Sequence, residues 1–295
     1  MRAVVWVLLA AACFGTTGTA QALGPDVDAT ALGAARIALG GCTLGVVALV
    51  TARGRTVRPD RRAVVLLMLG GAGVLAYQPA FFAGTGANGV AVGTVVALGS
   101  APVLTGVLAW VLSRRRPAAR WWVATGCALV GVLVLGLADG ADGALSAPGL
   151  LASVGAGAAY AVYTLASKGL LERGWSPVTA MGATFGIAGI GGVAVLAGAD
   201  RDGLASGGGL LTVGWLGLVT VTVAYLFFGA GLALLPAATV ATLTLAEPVT
   251  ATLLGVLVLG ERLSAQALLG VTVLAVGIIV LVAGSRRGRD ARVPA

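Results

Sequence analysis

The sequence predicts an all-α integral membrane protein with ten transmembrane helices arranged as two inverted five-helix repeats. Three observations carry this expectation: apolar runs near twenty residues, an alternation of charge in the connectors, and a self-similarity at a spacing of 146 residues. Hydrophobic residues make up 58% of the chain and charged ones only 10%, where soluble domains carry roughly a quarter charged. Lipid offers backbone groups no partners, so spans are helices or closed barrels. Barrel strands alternate polar and apolar over about ten residues. Unbroken apolar runs of about twenty suit helices instead.

The runs fall at residues 3–22, 30–52, 63–83, 89–112, 119–138, 148–168, 177–199, 210–232, 236–259 and 264–284. With Met1 placed in the cytoplasm, the connectors sort by charge. Inside fall Arg2, then Arg53, Arg55, Arg58, Arg61 and Arg62, then Arg114, Arg115, Arg116 and Arg120. Lys168 and Arg173 follow, and Arg286, Arg287, Arg289 and Arg292 lie in the tail. Outside fall Asp26, Asp28, Asp139, Asp142, Asp200, Asp202 and Glu261, with only Arg201 and Arg262 as basic exceptions. Short cytoplasmic loops carry the basic excess in membrane proteins, so both termini are expected in the cytoplasm. Trp6, Trp110, Trp121, Trp122 and Trp175 lie near inner helix ends and Trp215 near an outer one, as indoles seeking the headgroup region do. The net charge of +8 is therefore read as a topology signal touching anionic membrane lipid, not as a nucleic-acid site. Arg2, the apolar run and Ala20-Gln21-Ala22 imitate a signal peptide, but the repeat includes this helix, which is expected to be retained. The Arg-, Ala-, Gly- and Val-rich composition suits a bacterial host and its inner cell membrane.

At the spacing of 146 residues Phe14 falls on Tyr160, Phe81-Phe82 on Phe227-Phe228, and Pro102 on Pro248. Aligned aromatics and prolines are harder to obtain by chance than aligned Ala, Val or Leu. The expected organisation is a first repeat at 1–140, a second at 146–285 and a basic cytoplasmic tail at 286–295. Five helices per unit is odd, so the second unit starts on the opposite side of the membrane and the halves are antiparallel. Such repeats recur in secondary transporters, where one central site is exposed to each side in turn. A duplication kept for packing alone is the competing explanation.

The run Ala246-Glu247-Pro248, then Leu253 to Ser264 with Gly260-Glu261-Arg262-Leu263, and Gly270 in the last helix, resembles the ending of a repeat in EamA-type members of the drug/metabolite transporter superfamily. Arg36 is similar to an arginine of the second helix in that family. The resemblance covers residues 3–284. It implies a secondary active transporter that exports a small organic metabolite, amino acid or drug by alternating access. The first half departs from the pattern, with Ala101 in place of the Glu before Pro102 and Arg115 where Glu261 would align. Chemistry that needs those carboxylates is expected from the second half alone.

Glu247 is the sharpest candidate. A carboxylate near mid-membrane is costly unless paired, hydrated or protonated, which suits proton coupling or a substrate amine. Pro248 beside it removes a backbone donor and loosens the helix. A structural carboxylate serving the loosened backbone or an arginine is the alternative. Thr244 and Thr250 share much of its face, although Thr in a membrane helix commonly bonds its own backbone. Arg36 lies about 9 Å deep at about 1.5 Å per residue. Its side chain either snorkels to the surface or faces a cavity and pairs with Glu247 in one state. Phe14, Tyr77, Phe81, Phe82, Tyr160, Tyr163, Tyr225, Phe227 and Phe228 either pack the bundle or form a wall for organic and cationic substrates. Glu261 and Arg262 at a helix end are expected to join a turn-level ion network, with Pro102 a structural mark of the repeat.

Catalysis finds no purchase in the sequence. There is no His, hence no HExxH or Ser–His chemistry, and no Asp within a span for an aspartyl dyad. Cys13, Cys42 and Cys127 sit in apolar runs, so no metal site, disulfide framework or cofactor is expected. No Walker A motif is present. The expected partners are a small-molecule substrate and membrane lipids, and a homodimer is compatible with the sequence. A lipid flippase or scramblase, a channel, or a structural membrane protein without solute transport are the competing functions.

Overall fold

The computed structural model describes residues 1–52, 59–114, 116–138 and 145–290. Among them are ten helices long and apolar enough to span a bilayer. They are α1 (Arg2–Ala22), α2 (Ala29–Thr51), α3 (Arg61–Val90), α4 (Val92–Ser113), α5 (Ala119–Gly136), α6 (Ala147–Glu172), α7 (Pro177–Gly198), α8 (Gly207–Leu234), α9 (Ala237–Val258) and α10 (Ala265–Ala283). The helix of α10 continues to Asp290. Large apolar side chains such as Leu49, Leu211 and Leu257 are largely exposed, an arrangement that suits lipid rather than water.

Helix entries are set by short polar side chains. Asp28, Asp60, Ser146, Ser176 and Ser206 each accept a backbone N–H from the first turn of the helix that follows, which satisfies one of the orphan donors there. The third span outlasts its expected end by several residues. It gives way to α4 only at Gly89, whose φ of 79° glycine adopts without strain. The Asn88 amide then ties this turn to the entry of α6, donating to the Ser146 carbonyl at 3.1 Å and accepting the Ser146 N–H at 2.6 Å.

Packing follows a pseudo-two-fold axis between α1–α5 and α6–α10. Helix α2 packs on α7 and α5 on α10, while α1 lies against α8 and α9 as α6 lies against α3 and α4. The α5–α10 crossing shows the axis residue by residue. A Cβ on Gly131 would meet the Leu274 backbone at 2.4 Å, and one on Gly277 would meet the Ala128 backbone at 2.7 Å. Gly131 and Gly277 are 146 residues apart, as are Ala128 and Leu274, so the two contacts are one contact seen from both halves. Cys127, a half-buried thiol, donates to the Val273 carbonyl on the same crossing.

Three expectations need correction. Trp121 is not a headgroup indole: it is 4% exposed and donates Nε1–H to the Ala238 carbonyl and Thr242 Oγ1, both at 3.0 Å. A buried indole N–H needs an acceptor, and the neighbouring α9 supplies two. Lys168 is not a loop charge either. Its Nζ donates to the carbonyls of Leu232 and Leu235 at 2.9 and 3.1 Å, where α8 ends and a cation suits the helix dipole. The ion network foreseen at Glu261 and Arg262 is absent among the described residues. Glu261 lays its carboxylate against Gly255 instead, and its N–H bonds the Gly255 carbonyl at 3.0 Å. Among the described residues an ion pair instead joins Arg173, after α6, to Asp60, before α3. Arg53, Arg55, Arg58, Arg115, Asp139, Asp142 and Arg292 lie outside the described residues, as do the side chains of Arg286, Arg287 and Arg289.

Candidate functional site

Helix α9 is not one continuous helix, and its interruption builds the site. Ala237–Leu243 is α-helical, Thr244–Ala246 forms a single 3-10 turn, and α-helix resumes at Glu247. Pro248 favours this, because it has no N–H to give the Thr244 carbonyl and its ring crowds that oxygen. The Thr244 carbonyl takes the Glu247 N–H instead, one residue earlier. Glu247 therefore projects from the first residue of a restarted helix, deep in the bundle.

Around it lies a cavity of about 130 Å³. Helix α9 lends Ala241, Thr244, Leu245 and Glu247; α6 lends Tyr160 and Tyr163; α8 lends Tyr225. From the first half come Phe14 and Thr17 of α1, Arg36 of α2, Tyr77, Gln78 and Phe81 of α3, and Ala97, Leu98 and Ala101 of α4. Drug-sized ligands occupy pockets of about 300–1,000 Å³, so this conformation admits only a solute of few heavy atoms.

The wall is held by hydrogen bonds and ring packing. Thr244 Oγ1 donates to the Ala241 carbonyl at 2.8 Å, so the bond between Tyr160 Oη and Thr244 Oγ1, 3.0 Å long, is donated by the tyrosine. Tyr163 and Tyr225 join their hydroxyls at 3.0 Å. Phe185 and Phe228, both fully buried, back these rings, with centroids 3.9 Å and 5.5 Å from that of Tyr225. Upstream of Tyr225, residues Trp215–Val223 of α8 are wound as π-helix, a geometry frequent at functional sites. Thr222 Oγ1 there donates to the Gly40 carbonyl of α2 at 3.0 Å, one turn from Arg36.

Charge is sparse and unpaired. No side-chain hydrogen bond or ion pair within the described residues engages Glu247 or Arg36, and Arg36 Nε is buried without a partner. Among the described residues, the charged group that bears electrostatically on Glu247 is Arg36. Of the candidates named from the sequence, Glu247, Thr244, Arg36, Tyr160, Tyr163, Tyr77, Tyr225, Phe14 and Phe81 line the cavity. Phe227 does not: it stacks on Trp6 with centroids 5.5 Å apart. Pro248 and Pro102 shape their helices without lining it, and Thr250 packs against Gly15. Thr17, Gln78, Leu98 and Ala101 went unnamed as site residues. Three of these were readable through the repeat, since Thr17, Leu98 and Ala101 stand 146 residues before Tyr163, Thr244 and Glu247. Gln78, an amide inside an apolar run, carried its own signal.

Known proteins resemble this chain along nearly its whole length. The model of the EamA-like transporter family matches residues 1–137 and again 147–283. An uncharacterised transporter of Bacillus subtilis (strain 168), YwfM, is 37% identical over 288 residues, covering 97% of this chain and 96% of the relative. A solved crystal structure superposes with a TM-score of 0.81 at 22% identity, over 95% of this chain and 98% of the other. That last likeness concerns the fold alone.

Proposed function

The chain belongs to the EamA-like transporter family, and on that footing we propose that it is a secondary active transporter that exports a small organic solute by alternating access, with protons as the coupling ion. One observation carries the reading: an unpaired carboxylate on an interrupted helix faces a cavity at the meeting of two inverted halves. Inverted repeats supply two similar half-gates, and discontinuous helices place ion and substrate groups at mid-membrane. A lone intramembrane carboxylate can alternate between holding a proton and holding a cationic group. Export as the direction rests on the family resemblance of the sequence, cytoplasmic termini rest on the basic connectors, and a bacterial inner membrane rests on the composition.

The test is flux of a small-metabolite mixture in vesicles containing the wild type or Glu247→Gln, with and without a pH gradient. The expected outcome is gradient-dependent efflux in the wild type and background flux in well-folded variant. Flux indifferent to both gradient and substitution would remove proton coupling. No solute flux, with lipid redistribution between leaflets, would favour a flippase.

A further inference from the structure

We infer that the headgroup of an anionic phospholipid binds between the start of α3 and the end of α6, bridging the two halves of the protein. A cleft of about 380 Å³ opens there, away from the central cavity. It is lined by Arg61, Arg62, Val65 and Leu66 of α3 and by Arg173 just beyond α6. Positions 61 and 65, like 62 and 66, are four apart and share a helix face. The cleft is therefore basic at its rim and apolar one turn deeper, the order in which a phospholipid presents phosphate and acyl chain. Val65, Met68 and Leu69, each at least half exposed, carry the apolar strip on along α3.

The ending of α6 places the second wall. Gly174, at a φ of 86°, turns the chain, and the N–H groups of Arg173 and Trp175 bond the Leu170 carbonyl at 3.1 and 3.2 Å. Trp175 and Leu66 both pack on the small core of Ala63, Leu170 and Ala180. An indole at such a helix end suits the headgroup level. A Cβ on Gly169 would meet Leu66 Cδ1 at 3.0 Å, so α3 and α6 close the floor between them.

Charge selects the occupant. The rim carries three guanidiniums, and the nearby Asp60 carboxylate is already committed to the Ala63 N–H and to Arg173. Among the described residues, no hydrogen bond or ion pair engages the guanidinium of Arg61 or Arg62. The N-terminal dipole of α3 adds to the positive potential. A phosphate meets the forked donors of both arginines, whereas a zwitterionic headgroup brings an ammonium into the same field. Basic pockets between spanning helices hold anionic headgroups in this way.

The experiment is thermal unfolding of the delipidated full-length protein in neutral-detergent micelles, titrated with phosphatidylglycerol, phosphatidylethanolamine or glycerol 3-phosphate. Phosphatidylglycerol is expected to raise the Tm saturably, and the other two far less at equal concentration. Arg61→Gln and Arg62→Gln are each expected to weaken the apparent affinity for phosphatidylglycerol about fivefold, and together about thirtyfold. The single variants keep the test open where the double variant does not fold. Arg116→Gln, whose guanidinium lies over Trp110, is expected to leave that affinity unchanged. An equal loss in Arg116→Gln would reduce the effect to general surface charge and overturn the site. Wild-type affinity in both single variants, an equal response to phosphatidylethanolamine, or no response to phosphatidylglycerol would overturn it too. A matching response to glycerol 3-phosphate would leave an anion site and sink the lipid assignment.

Discussion

The two halves place residues at equivalent points of the cavity and fill those points with different chemistry. Phe14, Thr17, Leu98 and Ala101 in the first half correspond to Tyr160, Tyr163, Thr244 and Glu247 in the second, and all eight line the wall. The backbones differ as well. Helix α4 runs through Pro102 without leaving α-helical geometry, whereas α9 tightens to a 3-10 turn before Pro248. A proline thus does not by itself decide the break; the surrounding packing selects whether the helix absorbs it. Arg36 inverts the pattern, since its counterpart is Gly182. A Cβ there would lie 2.3 Å from the Ala48 Cβ, so the α2–α7 crossing forbids any side chain. The lesson is that equivalent positions of the two halves share the wall of the site, while its charged side chains are one carboxylate and one arginine.

The strongest way to break this comparison is to exchange the carboxylate. Ala101→Glu combined with Glu247→Ala is expected to leave vesicle flux at background, because α4 lacks the helix break and the second half has Gly182 where the opposed arginine would stand. Recovery of substantial flux would mean the halves are interchangeable. Next in size, Gly182→Arg is expected to cost about 3 kcal/mol or more through overpacking and a buried charge, seen as loss of monodisperse protein on size exclusion. Pro248→Ala restores an α-helical donor and is expected to lower flux several-fold, while Pro102→Ala leaves flux unchanged; equal effects would refute the assigned difference between α4 and α9. Tyr160→Phe removes the bond to Thr244, worth about 1 kcal/mol, and is expected to weaken solute affinity about fivefold. Phe14→Tyr, its mirror change, should alter affinity far less.

The smallest effect concerns the caps. Asp60 opens α3 and Ser206 opens α8 at the equivalent position. The Ala63 N–H, and then Arg173, hold the Asp60 carboxyl below its usual range. A depressed folded value means that its contribution is present above the unfolded value of about 4 and fades as pH falls through the lower folded one. Ser206 has no such dependence. Tm measured against pH for wild type and Asp60→Ser is therefore expected to converge at acid pH and separate slightly above it; parallel curves would deny the cap this role.

Much of the molecule was legible before any coordinates. Span number and approximate limits follow from apolar length, because lipid penalises every polar interruption. The inverted arrangement follows from an odd number of helices per repeat, and Glu247 stands out because it is the acidic residue placed deep within a span. What the sequence left open was direction and neighbourhood. Nothing local tells that Phe81 faces the cavity while Phe227, its counterpart, stacks on Trp6. Equally, the 3.6-residue period places Trp121 near a helix end without revealing that α9 waits there with two acceptors. Arg36 had two futures of similar cost, snorkelling or facing inward, and the crossing of α2 with α7 and α8 chose the second. Sequence by itself determined which residues must leave water and which of them carry charge, since those are sums over short windows. Only tertiary structure decided which charges share a cavity and whether they meet, because that depends on how helices far apart in the chain rotate about their own axes to bury their smallest residues against one another.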